Sequence, residues 1–167
     1  MSRGFVKEED QEEVPMVPQR AYLPEGVTNF VTPAGMAQLL AEKQMLIHEK
    51  DNLSSTSENE KRISLNYINA KLQLLNSRIA EAKVVDLKEQ SQNEIRFGSL
   101  VTLKTEVSGN TQIFQIVGVD EADIAKGKIS FISPLAKALI NKKAGDRITL
   151  KRDRDDLVFE IMDVAYR

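Results

Sequence analysis

The sequence contains no cysteine, and this absence excludes disulfide bonds and thiolate metal sites. An excess of charge of one sign is also missing, because 23 basic and 25 acidic side chains leave a formal net charge of only −2. Proteins that bind nucleic acid on their own usually carry a clear basic excess. We therefore expect the main partner to be another protein.

Long apolar runs are absent as well. No segment reaches the ~20 apolar residues that a membrane-spanning helix needs, and the first fifteen residues lack the apolar stretch of a secretory signal. We expect a cytoplasmic protein with no membrane partner. The chain has 167 residues, of which 41% are apolar, so it can bury one modest core or two small ones.

Residues 1–30 show little periodicity. They contain five acidic residues between Glu8 and Glu13, followed by prolines at positions 15, 18 and 24. This composition is typical of a solubilising arm, and its negative charge also suits a basic surface on a partner. We assign residues 1–30 to an acidic, proline-containing flexible tail.

Two amphipathic helices are predicted next. Thr32 and Pro33 are typical of a helix start, and the polar run at 52–57 ends this helix and supplies Ser57 as the cap of a second one. The apolar stripe of the first helix is Met36, Leu39, Leu40, Leu46, Ile47 and Leu53, and that of the second is Leu65, Ile68, Leu72, Leu75, Ile79 and Ala82. Because two such stripes can cover each other, we predict an antiparallel coiled-coil hairpin over residues 31–88.

The apolar period changes to two after residue 95. Alternating residues at 97–107 and a β-branched run at 113–119 flank the turn Ser108-Gly109-Asn110, which predicts a β-hairpin. Further strands are expected at 128–132, 147–150 and 157–166, with one short helix from Pro134 to Ile140. The predicted fold class is therefore α+β, with an antiparallel sheet because tight turns join most of the strands.

Several short motifs in residues 95–167 carry a resemblance to a known family. They are Phe97-Gly98, the run from Phe114 to Gly118, Asp120 to Asp123, Ile129-Ser130, Ser133 to Leu139 and Gly145-Asp146, with weaker agreement at Thr32, Gly35 and Val84 to Asp86. In this order and spacing they resemble the Gre-type transcription elongation and transcript-cleavage factors. The tail before Val31 lies outside the resemblance.

The resemblance implies a domain like the FK506-binding proteins at residues 95–167, which grips the rim of the secondary channel of RNA polymerase. The hairpin then enters the channel. Nucleic acid is met only indirectly, through the polymerase, and we expect a monomer. The residues that the resemblance gives to polymerase binding are Asp120, Glu121, Ser133, Pro134, Leu135, Ala136 and Lys137.

The hairpin tip carries the remaining candidates. Family members that stimulate transcript cleavage have two tip acids, which help to hold a second Mg²⁺ in the polymerase active site; carboxylates suit such hard cations. Ser57-Glu58-Asn59 matches this segment, but Ser55 stands where the first acid is expected. The tip candidates are therefore Glu58, Asn59, Glu60 and Asp51. We expect no stably bound metal and no intrinsic cofactor, with Mg²⁺ shared with the polymerase as the one ion involved.

Two functions remain open, and neither makes the chain an enzyme in its own right. As a cleavage-stimulating factor it lends Glu58 to the polymerase. As a non-cleaving regulator, similar to the regulator of nucleoside diphosphate kinase, it acts by occupying the channel. The two helices of the hairpin look shorter than those of cleavage-stimulating family members, and one tip acid is missing. Both features predict polymerase binding with weak or absent cleavage. Glu58 and Glu60 also suit an ordinary helix start. A third and less favoured function, prolyl isomerase or chaperone, follows only from fold analogy with the FK506-binding domains. It would require an aromatic-lined pocket, and none is expected from the sequence.

Overall fold

The computed structural model describes residues 15–54 and 57–167, and two helices dominate its N-terminal half. Helix α1 spans Pro33–Asp51 and helix α2 spans Glu58–Glu81. The Thr32 hydroxyl caps α1 by accepting the Gly35 N–H at 2.9 Å, and the Ser57 hydroxyl caps α2 by accepting the Glu60 N–H at 3.0 Å. Both predicted helix starts are confirmed. At about 1.5 Å per residue, the 24 residues of α2 extend roughly 36 Å.

The two helices pack along the predicted stripes. Leu39 and Leu46 of α1 are buried against Ile68, Leu72 and Leu75 of α2, and Leu75 is fully buried. Leu40 does not belong to this seam, because 46% of its surface is exposed. Successive helical residues are about 100° apart, so Leu39 and Leu40 cannot both face the same partner. In the part of the chain that the structure describes, neither long helix is apolar over a membrane-spanning length.

A pair of short parallel strands closes the base of the hairpin. Strand β1 (Asn29–Val31) pairs with strand β2 (Ala82–Val84), which directly follows α2. Farther upstream, Arg20 forms ion pairs with side chains of α1 and of the C-terminal half. Within the predicted tail, Arg20 and the strand residues Asn29 and Phe30 therefore contact distant parts of the protein, while the flexibility of residues 1–30 stays a prediction. The partners of Arg20 lie 22 to 100 residues away, beyond the reach of a local pattern. Residues 1–14 of that tail lie outside the described residues.

A five-stranded sheet forms the C-terminal half. Its order is β5-β4-β3-β7-β6, with β3 at Leu100–Thr105, β4 at Thr111–Val117, β5 at Lys128–Ser130, β6 at Arg147–Leu150 and β7 at Leu157–Ala165. Three of its pairs are antiparallel as predicted, whereas β4 and β5 are parallel. The exception arises because a 3₁₀ turn at Ile124–Lys126, rather than a tight hairpin turn, leads from β4 to β5. The predicted α+β fold is confirmed with this difference.

Helix α3 (Pro134–Leu139) packs on the sheet as the one short helix predicted for this half. Ala136 and Leu139 are fully buried in the core, together with Val101, Ile116 and Ile161 from the sheet. This hydrophobic cluster shares no residue with the cluster between α1 and α2. Residues 15–54 and 57–167 therefore form two small hydrophobic cores, which are joined where the base of the hairpin meets the turn that follows β4.

Candidate functional site

Acidic side chains gather at the far end of the hairpin. Helix α1 ends at Asp51 and α2 begins at Glu58, so the antiparallel arrangement brings both to the same end, where Glu60 also lies. All three side chains are exposed, as is Asn59, whose side-chain oxygen accepts a hydrogen bond from Arg62 at 3.0 Å. Glu58 and Glu60 occupy the first turn of α2, where the helix dipole favours negative charge. Ser55, which stands where the first tip acid is expected, lies outside the described residues.

The tip offers carboxylate oxygens to solvent. Among residues 15–54 and 57–167, no group of three or more His, Cys, Asp or Glu side chains is arranged to hold a metal ion. Oxygen ligands of the kind found at Asp51, Glu58 and Glu60 are those that Mg²⁺ prefers. What the tip can do chemically is to add one or more such ligands to an ion held mainly by other groups.

Asp120 and Glu121 lie in the turn after β4 and face the base of the hairpin. The Asp120 side chain is 7% exposed and accepts a hydrogen bond from Arg20 Nε at 3.1 Å. Arg78 Nε lies 3.2 Å from its other oxygen, an ion-pair contact that lacks the direction of a good hydrogen bond. The Glu121 carboxylate accepts hydrogen bonds from the Thr32 hydroxyl and from Lys128 Nζ, the latter at 3.3 Å. Both carboxylates therefore connect the hairpin to the sheet domain.

This placement changes what Asp120 and Glu121 can contribute. Sequence motifs gave both residues to polymerase binding, but a motif does not show which way a carboxylate points. Their burial and their internal partners argue against direct contact with another protein. A polymerase contact by these two side chains stays a prediction, and their role in joining the two halves is what the structure adds.

The candidates of α3 divide into exposed and buried residues. Pro134 and Lys137 are exposed, whereas Ala136 is fully buried in the core and Leu135 is partly buried against it. Ser133 caps the helix, its hydroxyl accepting the Ala136 N–H at 3.3 Å. Of these five residues, Pro134 and Lys137 are therefore the ones best placed to meet a partner.

An aromatic-lined cleft of about 600 Å³ lies between the β1–β2 pair and the sheet domain. Phe30, Phe97 and Phe131 contribute rings whose centroids are 5.7–5.9 Å apart, and Lys83 Nζ lies 5.9 Å from the Phe30 ring. The expectation that no such pocket exists was wrong. The three rings come from widely separated parts of the sequence, so no local pattern could reveal them.

Comparison with known proteins gives a consistent family match. The family model described as "Transcription elongation factor, GreA/GreB, C-term" matches residues 89–166. Transcription elongation factor GreA of Pelobacter propionicus is 43% identical over 100 residues, covering 60% of this chain and 63% of the relative. GreA of Rhodospirillum rubrum is 33% identical over 151 residues, covering 81% of this chain and 96% of the relative. In the first three relatives the match spans 59–64% of their length.

Solved structures of similar proteins were also found. GreA factor homolog 1 (Gfh1) of Thermus thermophilus is 22% identical, with 83% of this chain and 99% of that chain covered and a TM-score of 0.39. The elongation factor GreA/GreB from Nitrosomonas europaea is 20% identical, with coverage of 84% and 99% and a TM-score of 0.42.

Proposed function

Since the chain belongs to the GreA/GreB family of transcription elongation factors, we propose that it binds RNA polymerase at the rim of the secondary channel and modulates elongation with weak or absent stimulation of transcript cleavage. The sheet domain grips the rim, and the hairpin enters the channel. The chain is cytoplasmic and monomeric, and it meets nucleic acid only through the polymerase. It is not itself an enzyme.

One observation carries this proposal: the hairpin presents acidic side chains far from the part that would dock. Arg78, which forms an ion pair with Asp120 of the sheet domain, lies about 20 residues along α2 from Glu58. The tip is therefore roughly 30 Å from the contact between the hairpin and the sheet domain. A projection of this length can reach a site that the sheet domain cannot approach. Because Glu58 and Glu60 are exposed at its end, groups inside a channel can reach them.

Weak cleavage follows from the chemistry of the tip. Two-metal hydrolysis needs ligands that hold the second ion and orient the attacking water. Glu58 matches one of the two acids that the family uses, while Ser55 stands in place of the other. A hairpin with one suitable carboxylate occupies the channel but holds Mg²⁺ poorly. We propose that occupancy of the channel, rather than hydrolysis, is its main effect.

Two observations favour alternatives. Asp51 lies at the same end of the hairpin as Glu58, which favours a cleavage-stimulating factor in which Asp51 replaces the missing acid. The cleft at Phe30, Phe97 and Phe131 favours a prolyl isomerase or chaperone function. We rank the second alternative lower, because the three rings pack against one another and thus act partly as core.

The test is a cleavage assay on backtracked elongation complexes of bacterial RNA polymerase in the presence of Mg²⁺. We expect the protein to be retained on immobilised polymerase and to shorten transcripts little more than a blank. Ser55→Asp, which restores the acid expected from the family, should raise cleavage, and Glu58→Ala should abolish that gain. Glu81→Ala is the matched control, because it removes the same charge at the opposite end of α2.

Each other outcome is informative. Strong cleavage by the unaltered chain that is lost in Glu58→Ala and in Asp51→Ala would favour the cleavage-stimulating alternative. Cleavage that is unchanged in Glu58→Ala would exclude this residue from the metal. If no polymerase is retained, the proposal and the cleavage-stimulating alternative both fail.

A further inference from the structure

The segment that precedes the family resemblance touches both halves of the protein. The Arg20 guanidinium makes a two-pronged contact with the carboxylate of Glu42 on α1, at 2.8 and 3.0 Å. Its third nitrogen, Nε, donates to Asp120 in the turn after β4 at 3.1 Å. The carbonyl of the next residue, Ala21, accepts a hydrogen bond from Arg78 of α2. Two consecutive residues therefore contact both helices and the sheet domain.

These contacts are partly shielded from water. The side chains of Arg20, Arg78 and Asp120 are 18%, 12% and 7% exposed. The hydrogen bonds that Arg20 donates to Glu42 are the largest cause of the raised pKa of Arg20, while burial acts in the opposite direction. A buried carboxylate is costly unless charged donors satisfy it, and the planar guanidinium fork is suited to holding two carboxylates at fixed positions. The geometry at Asp120 is thus sensitive to the loss of Arg20.

The backbone around this ionic joint is also close-packed. A Cβ atom built on Gly118, just before the turn that holds Asp120, would lie 2.5 Å from the carbonyl oxygen of Phe30 in β1. On the other side of the turn, Glu121 accepts a hydrogen bond from Thr32, the cap of α1. Rotation of the hairpin about this joint therefore has to break polar contacts and cannot be absorbed by a gap.

We propose that Arg20 is a positioning residue that fixes the angle between the helical hairpin and the sheet domain by holding Glu42 and Asp120 together. Glu42 moves with the hairpin and Asp120 moves with the sheet domain, so any change of angle lengthens at least one of the Arg20 contacts. This role belongs to the free protein and does not depend on the proposed function. A fixed angle also lowers the conformational entropy lost when both halves engage one partner.

A distance measurement on the whole chain tests this role. The chain has no cysteine, so Lys61→Cys near the tip and Asn110→Cys in the turn between β3 and β4 give two exposed sites for spin labels. We expect pulsed electron paramagnetic resonance to give one narrow distance distribution for the doubly labelled chain. Arg20→Met should broaden this distribution or add a second maximum. Arg152→Met is the control, since it removes the same charge from an exposed pair with Asp155.

A second variant keeps the test decisive if Arg20→Met lowers stability. Glu42→Gln leaves Arg20 and Asp120 in place and alters only a partner that is 35% exposed. We expect a smaller broadening in Glu42→Gln, and no further broadening when it is added to Arg20→Met, because Glu42 acts through Arg20. Unchanged distributions in both single variants would overturn the proposal. Broadening in the double variant equal to the sum of the two would also overturn it.

Discussion

The Thr32 hydroxyl serves two elements at once. It accepts the Gly35 N–H as the cap of α1 and donates to the buried carboxylate of Glu121, and the residue is only 1% exposed. Thr32→Val keeps the shape of the side chain but removes both hydrogen bonds. Loss of a cap and of a partner to a buried carboxylate should lower the free energy of unfolding by about 2–4 kcal/mol. Urea denaturation followed by circular dichroism measures this change.

Two further variants separate the hydroxyl from the methyl group. Thr32→Ser keeps the hydroxyl and should lose clearly less stability than Thr32→Val. Thr111→Val makes the same substitution at an exposed position of β4 and should stay within about 0.5 kcal/mol of the unaltered protein. Equal stabilities for Thr32→Val and Thr111→Val would show that the contact with Glu121 contributes nothing.

For single residues, sequence patterns predicted contacts between neighbours in the chain and missed contacts between residues far apart in the sequence. The caps at Thr32 and Ser57 could be predicted because a cap binds an N–H three residues away. The partner of Thr32 at Glu121 lies 89 residues away, and no pattern in the sequence connects them. The motif that contains Asp120 pointed to the right part of the fold, but it could not show that the side chain turns inward.

The buried face of α2 is an example of a feature that belongs to a whole helix. Its spacing of three and four predicted the buried side of the helix, because side chains at that spacing share one face. Leu75 is fully buried in this seam, so Leu75→Ala should lower the free energy of unfolding by about 2–5 kcal/mol. Ile63→Ala is the matched control on the same helix, since 58% of Ile63 is exposed, and it should cost less than about 1 kcal/mol. Denaturation monitored by circular dichroism distinguishes the two variants. Equal losses of stability would contradict the packing of Leu75 between α1 and α2.

Short elements were harder to predict than long ones. Strands β1 and β2, which the sequence did not predict, have three residues each, too few for a period to appear, and β5 is equally short although a strand was predicted at 128–132. The direction of these strands is set by pairing with distant segments. The parallel pairs β1–β2 and β4–β5 could therefore not be predicted from the neighbouring sequence. Helices α1 and α2 and the longer strands have enough residues for the apolar period to fix their type, and those predictions hold.

In the described part of the molecule, two hydrophobic cores are joined by the ion pairs of Asp120 with Arg20 and Arg78. This division predicts that docking and effect can be separated by substitution. Under the proposed function, docking involves the α3 face, where Lys137 is exposed, and the effect on transcription comes from the tip, where Glu58 is exposed. The two positions belong to different halves of the protein, so each can be changed without altering the other.

Lys137→Glu should weaken retention on immobilised RNA polymerase about tenfold, which corresponds to ~1.4 kcal/mol, because reversing a charge at an interface introduces repulsion. Any effect on elongation should fall with it. Glu58→Ala should leave retention unchanged and alter only what happens inside the channel. Lys151→Glu makes the same charge reversal at an exposed position after β6 and should bind normally. If Lys137→Glu and Lys151→Glu bind equally well, the docking face lies elsewhere on the sheet domain, and the double variant Lys137→Glu with Glu58→Ala will then behave like Glu58→Ala alone.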